Sequence, residues 1–234
     1  MKTILVGYGK MGKTIEEILL EKGHQIIGRF NRQPEIKDLK DADVAIEFSK
    51  PETAFENIAF LLKNGVPVVS GTTGWLDRMD EIRAINEEFK GAFLYGSNFS
   101  LGVNLFFELN EKLARLMKNY PQYQIEIEET HHVMKLDKPS GTAISLAEQI
   151  IKNTDFEKWE SDQKSAANIL PVFSKRIENV AGTHIVTYQS EVDSIEIKHT
   201  AHSRKGFALG AVLAAEWIIG KQGCFSMKDV LELI

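Results

Sequence analysis

The sequence holds a single cysteine, Cys224, among 234 residues. One thiol can close no disulfide within the chain and supports no cysteine-based zinc site. A reducing cytoplasm is the simplest compartment for it. Basic residues are not in excess: 28 Lys and Arg stand against 33 Asp and Glu, a formal net charge of −5. The two signs are interspersed, so the basic patch of a nucleic-acid-binding protein is missing. Long apolar runs are missing as well, and nothing approaches the length of a membrane span. The opening "MKTILVGYGK" is a short apolar run broken by glycines and a lysine. It reads as a strand and not as a signal peptide. Six prolines argue against long disordered tracts. Repeats and low-complexity segments are absent. The expected partners therefore include neither nucleic acid nor a membrane. At 43% hydrophobic and 26% charged residues, the composition is that of a globular protein with one large or two modest domains.

What is present begins with "TILVGYGKMGKTIEEILLEKG". Thr3 to Val6 is a β-rich apolar run. Gly7, Gly9 and Gly12 then stand at the G-x-G-x-x-G spacing, and Ile15, Ile18, Leu19 and Lys22 follow at helical spacing up to Gly23. Each glycine has a physical task in a strand–turn–helix that holds a dinucleotide. The first permits the tight turn, the second lets backbone N–H groups approach a pyrophosphate, and the third lets the helix lie close to the sheet. The helix N-terminus favours the phosphate charge. A glycine triplet alone is weak evidence, but this one sits in the context the motif requires. Its bland alternative is a flexible turn.

Strand-like and helix-like stretches then alternate: "HQIIGRF", "DVAIEF", a helix opening at Pro51, "VPVVS", a helix over "LDRMDEIRAINEEFKG", and "AFLYGS". This pitch predicts βαβ units and a parallel sheet. Ligands bind beyond the carboxyl ends of such strands. Those ends carry Gly7 to Gly12, with Tyr8, Lys10 and Met11 between the glycines; Asn31 and Arg32; "FSKPE" from Phe48; "SGTTG", with Gly71, Thr72 and Thr73; and "GSNFS", with Ser97, Asn98, Phe99 and Ser100. Small residues let a flat ring approach the backbone, and Thr and Asn offer what a nicotinamide carboxamide needs. No acid stands at the end of the second strand. Asn31 can still bond a ribose hydroxyl, and Arg32 can pair with a 2′-phosphate. NADPH is thus expected to be accepted at least as well as NADH, unless Arg32 is simply a solvated side chain.

After Ser100 the pattern changes. "LGVNLFFELNEKLARLMKNY" predicts a long helix, with Leu105, Leu109, Leu113, Leu116 and Met117 as its packing face. "YQIEIEET" alternates with period two, as a half-exposed strand does, and runs into His131, His132 and Lys135. "HIVTYQS" and "SIEIKHTA" are two further strands, while 154–175 shows little pattern and reads as loop. "RKGFALGAVLAAEWIIGK" and "SMKDVLELI" return to helix and are expected to pack back on the first domain or at a hinge. Ser140 is a good N-cap for a helix through Ala143, Leu146, Ala147 and Ile150. The first-turn N–H groups of Gly141 and Thr142, with the Thr142 hydroxyl, then make a carboxylate site. His131 and Lys135 would add protonated donors for a small dicarboxylate. Successive histidines on a strand point to opposite faces, and no HExxH spacing is present, so no metal is expected. A plain exposed His-His pair is the other bland reading.

The motifs "VGYGKMG", "FSKPE", "GTTG", "SNFSLGVN", "EETHHVMKLDKPSGTA", "VAGTH" and "IEIKHTAHSRKGFALGAVLAAEWI" resemble the 4-hydroxy-tetrahydrodipicolinate (dihydrodipicolinate) reductases over essentially the whole chain. The resemblance implies an α/β fold: a Rossmann-like dinucleotide-binding domain over 1–98, completed by 204–234, and an α+β substrate and tetramerisation domain with an open mixed sheet over 99–203. It implies His131 as acid/base residue and Lys135 as proton donor, with His132, Gly141 and Thr142, beside Ser140, on a substrate carboxylate. Gly7 to Gly12, Asn31 or Arg32, Gly71 to Thr73 and Ser97 to Ser100 would line NADPH or NADH. A cytoplasmic homotetramer is the implied assembly. Asn31 departs from the family's usual acid, and Lys138, where a small residue is common, is expected to be exposed. Two rivals stay open: another two-domain NAD(P)-dependent dehydrogenase, and a non-catalytic nucleotide sensor.

Overall fold

The computed structural model describes residues 1–162, 168–203 and 205–233. The chain divides into two compact units, Met1–Leu101 with Lys205–Ile234, and Gly102–Arg204.

The first unit is built on β1 (Lys2–Val6), α1 (Lys10–Glu21), β2 (Gln25–Phe30), β3 (Val44–Glu47), α2 (Pro51–Lys63), β4 (Val68–Ser70), α3 (Met79–Glu88) and β5 (Ala92–Tyr95). Its sheet has the order β11-β5-β4-β3-β1-β2, where β11 is Gly223–Phe225, and every pairing is parallel. The strands β1, β3 and β4 are apolar on both faces because helices cover both. On one side Ile15, Ile18 and Leu19 of α1 pack with Ala208, Ala211, Val212 and Ala215 of the later helix α6 (Lys205–Ile218). On the other, Ala54, Phe55, Ile58, Leu61 and Leu62 of α2 pack with Ile82 of α3. Pro51 takes the first helical position of α2, as its sequence predicts. The strand order reverses between β1 and β3. That is the switch point at which a doubly wound sheet opens a crevice.

Two details of this unit differ from the sequence reading. β11 pairs with β5 through Gly223↔Ala92 to Phe225↔Leu94, although 204–234 reads as helices alone. Three residues carry no periodicity, so only the neighbouring strand defines this one. The last helix, α7 (Met227–Val230), is a single turn. A Ser226/Asp229 capping box starts it, and Glu232 leaves it at φ 53.

The second unit holds α4 (Leu101–Met117, its first residue in the first unit), β6 (Gln124–His131), α5 (Gly141–Asn153), β7 (Lys158–Ser161), β8 (Ile169–Arg176), β9 (Gly182–Gln189) and β10 (Ser194–Ala201). The sheet runs β10-β9-β6-β8-β7. Its first two pairings are antiparallel and its last two parallel, so it is mixed. Phe106 and Ala114 of α4 and Ala143, Leu146, Ala147 and Ile150 of α5 cover one face, over Ile125, Ile127, Leu170, Val172, Val186 and Tyr188.

The strands β7 and β8 overturn the expectation of a loop over 154–175; 163–167 lie outside the described residues. β8 lies between β6 and β7. Its "ILPVF" is a run instead of an alternation, and its proline reads against a strand. The apolar face of α4 also differs. Val103, Phe106 and Ala114 are buried, whereas Leu105, Leu109 and Leu116 are 46%, 51% and 68% exposed. Two apolar stripes run along this helix. Of the expected face, Leu113 and Met117 are partly buried against the core of this unit, whereas Leu105, Leu109 and Leu116 stay outside it. Among the described residues no helix is long and apolar enough to cross a membrane.

Candidate active site

In the first unit the β1–α1 turn carries the glycines. Gly7 has φ +91, and a Cβ there would stand 2.0 Å from the Phe48 carbonyl oxygen. At Gly12 it would meet the Gly7 carbonyl at 2.6 Å. Gly9 differs: nothing lies within 4 Å of its absent Cβ. The first and third glycines are required by the protein's own packing, and the second keeps space open, as the dinucleotide motif demands. A cavity of about 400 Å³ adjoins it, lined by Gly9, Lys10, Met11, Phe48, Ser49, Pro51, Gly71, Thr72 and Thr73. Three of the predicted strand-end loops thus meet. The donor set fits a dinucleotide.

The other predicted cofactor residues stand elsewhere. Asn31 Oδ1 accepts from the Tyr8 backbone N–H at 2.9 Å, so it braces the glycine turn. Arg32 is exposed, with no hydrogen bond or ion pair among the described residues. Tyr8 turns its hydroxyl onto Glu16, which also takes Arg29 Nε at 2.7 Å. Arg29 and Tyr8 hold the Glu16 carboxyl below the usual carboxylate range. Ser97 is exposed and Asn98 half-buried. Phe99 is core: it packs on Phe48 with centroids 5.6 Å apart, and only the missing Cβ of Gly210 lets α6 lie on its carbonyl. Ser100 is buried beside it.

One residue that organises this edge was not singled out from the sequence. Glu47, at the end of β3, is fully buried. It accepts from the Ser49 backbone N–H at 2.9 Å, the Ser70 hydroxyl at 2.6 Å, the Thr72 hydroxyl at 2.8 Å, and the Ser49 hydroxyl. The side chain of Thr72 is therefore used inside the protein. The signal was an acid at the end of the otherwise apolar run "VAIE".

In the second unit the phase of β6 places Ile125, Ile127, Glu129 and His131 on the buried face. The strand's apolar stripe ends in an acid and a histidine. Glu129 is 0% exposed and His131 7%. Glu129 Oε2 lies 3.3 Å from His131 Nδ1 and accepts the Ser140 N–H at 3.0 Å. Its Oε1 takes both terminal nitrogens of Arg176, each at 3.2 Å. Burial alone would raise the Glu129 pKa. The His131, Ser140 and Ser174 side chains and the Ser140 amide outweigh it and hold the carboxyl far below the usual range. Arg176 continues to the Lys135 carbonyl at 3.3 Å and the Asp137 carbonyl at 2.7 Å. Lys135 Nζ rests on both Asp137 oxygens at 2.8 Å. One carboxylate thus gathers His131, the Lys135 segment and the start of α5.

Ser140 is the N-cap of α5, its hydroxyl accepting from Ala143 N–H at 3.3 Å. It is buried and also bonds His184 Nε2 at 3.1 Å, so its side chain serves the network from within. Gly141 is exposed and Thr142 half-buried, and a Cβ on Gly141 would meet nothing within 4 Å. Their amides have no partner among the described residues, which leaves two aligned donors for an anion. His132 is half-buried on the loop after β6. His184 stands edge-on to His131 at 5.0 Å. Burial, then the charge of His131, pushes its pKa down to about 4. Gly182 makes room for His131: a Cβ there would lie 3.1 Å from Nε2. Lys138 is exposed and pairs with Asp162 at 2.8 Å.

Glu129, His131 and His184 bring one ligand atom each within 4.8 Å of one another. A cation there would share its carboxylate with the Arg176 guanidinium, whose charge opposes it. The arrangement is better suited to a hydrogen-bonded proton-transfer pair. Glu129, Arg176 and His184 were not marked as site residues by the sequence reading. For Glu129 the signal was present, an acid in phase with Ile125 and Ile127. His184 closes the quoted motif "VAGTH", but nothing local gave it or Arg176 a role in the site.

Comparison with known proteins agrees with this geometry. A family model described as "Dihydrodipicolinate reductase, N-terminus" matches residues 1–99, and one described as "Dihydrodipicolinate reductase, C-terminus" matches 102–231. The chain belongs to the dihydrodipicolinate reductase family. The junction of the two family models falls at the first of the two places where the compact units part, and the C-terminal model runs on into the part of the first unit that begins at Lys205. Among its relatives is the 4-hydroxy-tetrahydrodipicolinate reductase of Christiangramia forsetii, 54% identical over 99% of this chain and 98% of that protein. Of solved structures, a dipicolinate-bound dihydrodipicolinate reductase from Paenisporosarcina sp. TG-14 superposes with a TM-score of 0.76 at 20% identity, over 98% of each chain. An engineered D-amino acid dehydrogenase bound to NADP+ gives 0.55 at 14% identity, over 97% of this chain and 93% of its own. At these identities the two structures speak for the fold. The reductase family itself rests on the sequence match.

Proposed function

We propose that this chain is the NAD(P)H-dependent 4-hydroxy-tetrahydrodipicolinate reductase of diaminopimelate and lysine biosynthesis. The observation that carries the reading is the Glu129 hub, which joins a buried histidine, a lysine-bearing loop and a helix N-terminus. The first unit holds the cofactor through the open side of Gly9 and the loops at Phe48 and Gly71 to Thr73. Arg32 is available for a 2′-phosphate. A bound reduced nicotinamide supplies the hydride that the ring receives at C4.

The residues of the second unit do the rest. The amides of Gly141 and Thr142 and the Thr142 hydroxyl, with His132, hold a ring carboxylate and fix its orientation. As C4 gains the hydride, the electron pair of the conjugated system moves toward C3. His131 or Lys135 delivers a proton there; the conjugated ring is the one left when the 4-hydroxy ring has lost its hydroxyl as water, so that tetrahydrodipicolinate, water and oxidised cofactor result. His131→Ala or Lys135→Ala is expected to lower turnover by about 10²–10⁴-fold, while the Kd for NADPH holds. The assay follows oxidation of NADPH, with NADH in parallel, on fresh dihydrodipicolinate synthase product. Near wild-type turnover in both variants, or no substrate-dependent oxidation in the parent, refutes the assignment.

We further infer a cytoplasmic homotetramer joined through the second sheet. The free thiol of Cys224 suits a reducing compartment. On the sheet face that α4 and α5 leave uncovered, Phe173, Thr183 and Ile185 are only half-buried. Sedimentation at the mass of a monomer would remove the tetramer and leave the chemistry standing.

A further inference from the structure

A histidine that delivers a proton must be held in one tautomer, and something must set which nitrogen keeps the hydrogen. Groups from four elements face His131 and its partner. From its own strand comes Glu129, with Oε2 at 3.3 Å from Nδ1. From β9 comes His184, edge-on at 5.0 Å, and Gly182, which supplies no side chain. From β8 comes Arg176, on the far oxygen of Glu129. From the start of α5 comes Ser140, on the near one. Nδ1 of His131 is buried without a well-directed hydrogen bond, and the Glu129 carboxylate lies beside it at 3.3 Å. A small rotation of the ring completes the bond. Lys135 and Asp137 approach through Arg176, which bonds both their carbonyls.

We propose that Glu129 and Arg176 are positioning residues for the reduction: Glu129 takes the Nδ1–H of His131 and so presents Nε2 to the substrate, and Arg176 ties that pair to the backbone carrying Lys135. The proposal rests on His131 being a proton-transfer residue. Its chemistry is that of an oriented acid. Arg176 keeps Glu129 an acceptor. Nε2–H is released when the carbanion character at C3 appears. The proton leaves Nε2, Nδ1–H stays on Glu129, and solvent restores the acid after turnover. A neutral His184 adds no charge that would compete. Arg176 has a second effect. Because one guanidinium grips both the carboxylate and the loop, a displacement of either proton-transfer residue is felt by the other.

The test uses the full-length enzyme with NADPH. Glu129→Gln keeps the shape and removes the charge; Arg176→Lys keeps the charge and removes the fork. The expected result for Glu129→Gln is a fall in kcat of roughly 10²-fold, little change in KM and none in the Kd for NADPH. Arg176→Lys should lower kcat less and raise KM for the substrate, because the Lys135 loop loosens. ¹⁵N spectra of histidine-labelled parent enzyme should show His131 with its hydrogen on Nδ1 once the ring is neutral. That measurement needs no variant to fold. An Nε2–H tautomer in the parent overturns the proposal. So does a folded, NADPH-binding Glu129→Gln enzyme with parental kcat. If His131→Ala is inactive while Glu129→Gln is not, the reductase reading survives and only this inference falls. If His131→Ala is itself fully active, the reading beneath it has failed.

Discussion

Replacing Glu47 by glutamine removes one charge from a residue that touches no substrate, yet it is expected to weaken both the fold and cofactor binding. Oε1 of Glu47 accepts three donors, the Ser49 amide, the Ser49 hydroxyl and the Thr72 hydroxyl, and Oε2 accepts Ser70. Hydrogen bonds to a charged acceptor contribute about 1.5–3 kcal/mol, against about 0.5–1.5 for neutral ones. In Glu47→Gln the three bonds to Oε1 survive as neutral bonds, each weaker by ~1 kcal/mol. The new amide nitrogen faces the Ser70 hydroxyl, which must turn from donor to acceptor. The simple sum of about 3–4 kcal/mol is an upper bound, because members of one network do not add. A loss of about 2–3 kcal/mol is expected in urea unfolding. The loops released, at Ser49 and Thr72, line the cofactor cavity. If about 1.4 kcal/mol of that loss appears as reordering on binding, the Kd for NADPH rises roughly tenfold, read by fluorescence titration. Adding Thr72→Val should cost less in the Glu47→Gln background than in the parent. A stability change under about 0.5 kcal/mol together with an unchanged Kd would refute the idea that this carboxylate holds the two loops.

Three further outcomes are expected. His184 carries an ordinary pKa of 6.5 pushed down to about 4 by burial and by His131. Between those values the unfolded chain binds its proton and the folded chain does not. About 3 kcal/mol of stability present above pH 6.5 is thus lost as the pH falls to about 4. His184→Asn should flatten that part of a urea-midpoint profile, leaving the Glu129 contribution, whose depressed pKa is felt only below the ordinary carboxylate range; an unaltered profile would count against it. Arg32→Ala should raise the KM for NADPH by roughly tenfold and that for NADH hardly at all, as the loss of one charge-assisted phosphate contact implies; equal effects would mean that Arg32 is merely solvated. On α4, Phe106→Ala should destabilise by about 3–5 kcal/mol and Leu109→Ser by less than about 0.5, and calorimetry showing the reverse order would restore the leucine stripe as the packing face.

The sequence by itself determined what local rules can carry. The glycine spacing between an apolar run and a helical run implied the nucleotide turn. The alternation of "YQIEIEET" implied β6, and Ser140 was legible as an N-cap because capping is settled within four residues. Tertiary structure decided the rest. β11 is three residues long and exists because β5 offers it hydrogen bonds. β8 carries the unbroken run "ILPVF", proline included, so only its pairing between β6 and β7 marks it as a strand. The buried stripe of α4 was chosen by the sheet beneath it, which takes Phe106 and Ala114 with Leu113 and Met117 and leaves Leu105, Leu109 and Leu116 exposed. The same holds in the site. His131, Lys135 and the Ser-Gly-Thr start of α5 lie within a dozen residues and could be read together. That one buried carboxylate joins them, and that an arginine and a histidine from strands some 45 to 55 residues further on complete the arrangement, depended on sheet pairing across long stretches of chain. Non-local pairing leaves no periodic trace in either partner. A buried acid in phase with isoleucines was the one sign that polar partners would have to come from elsewhere.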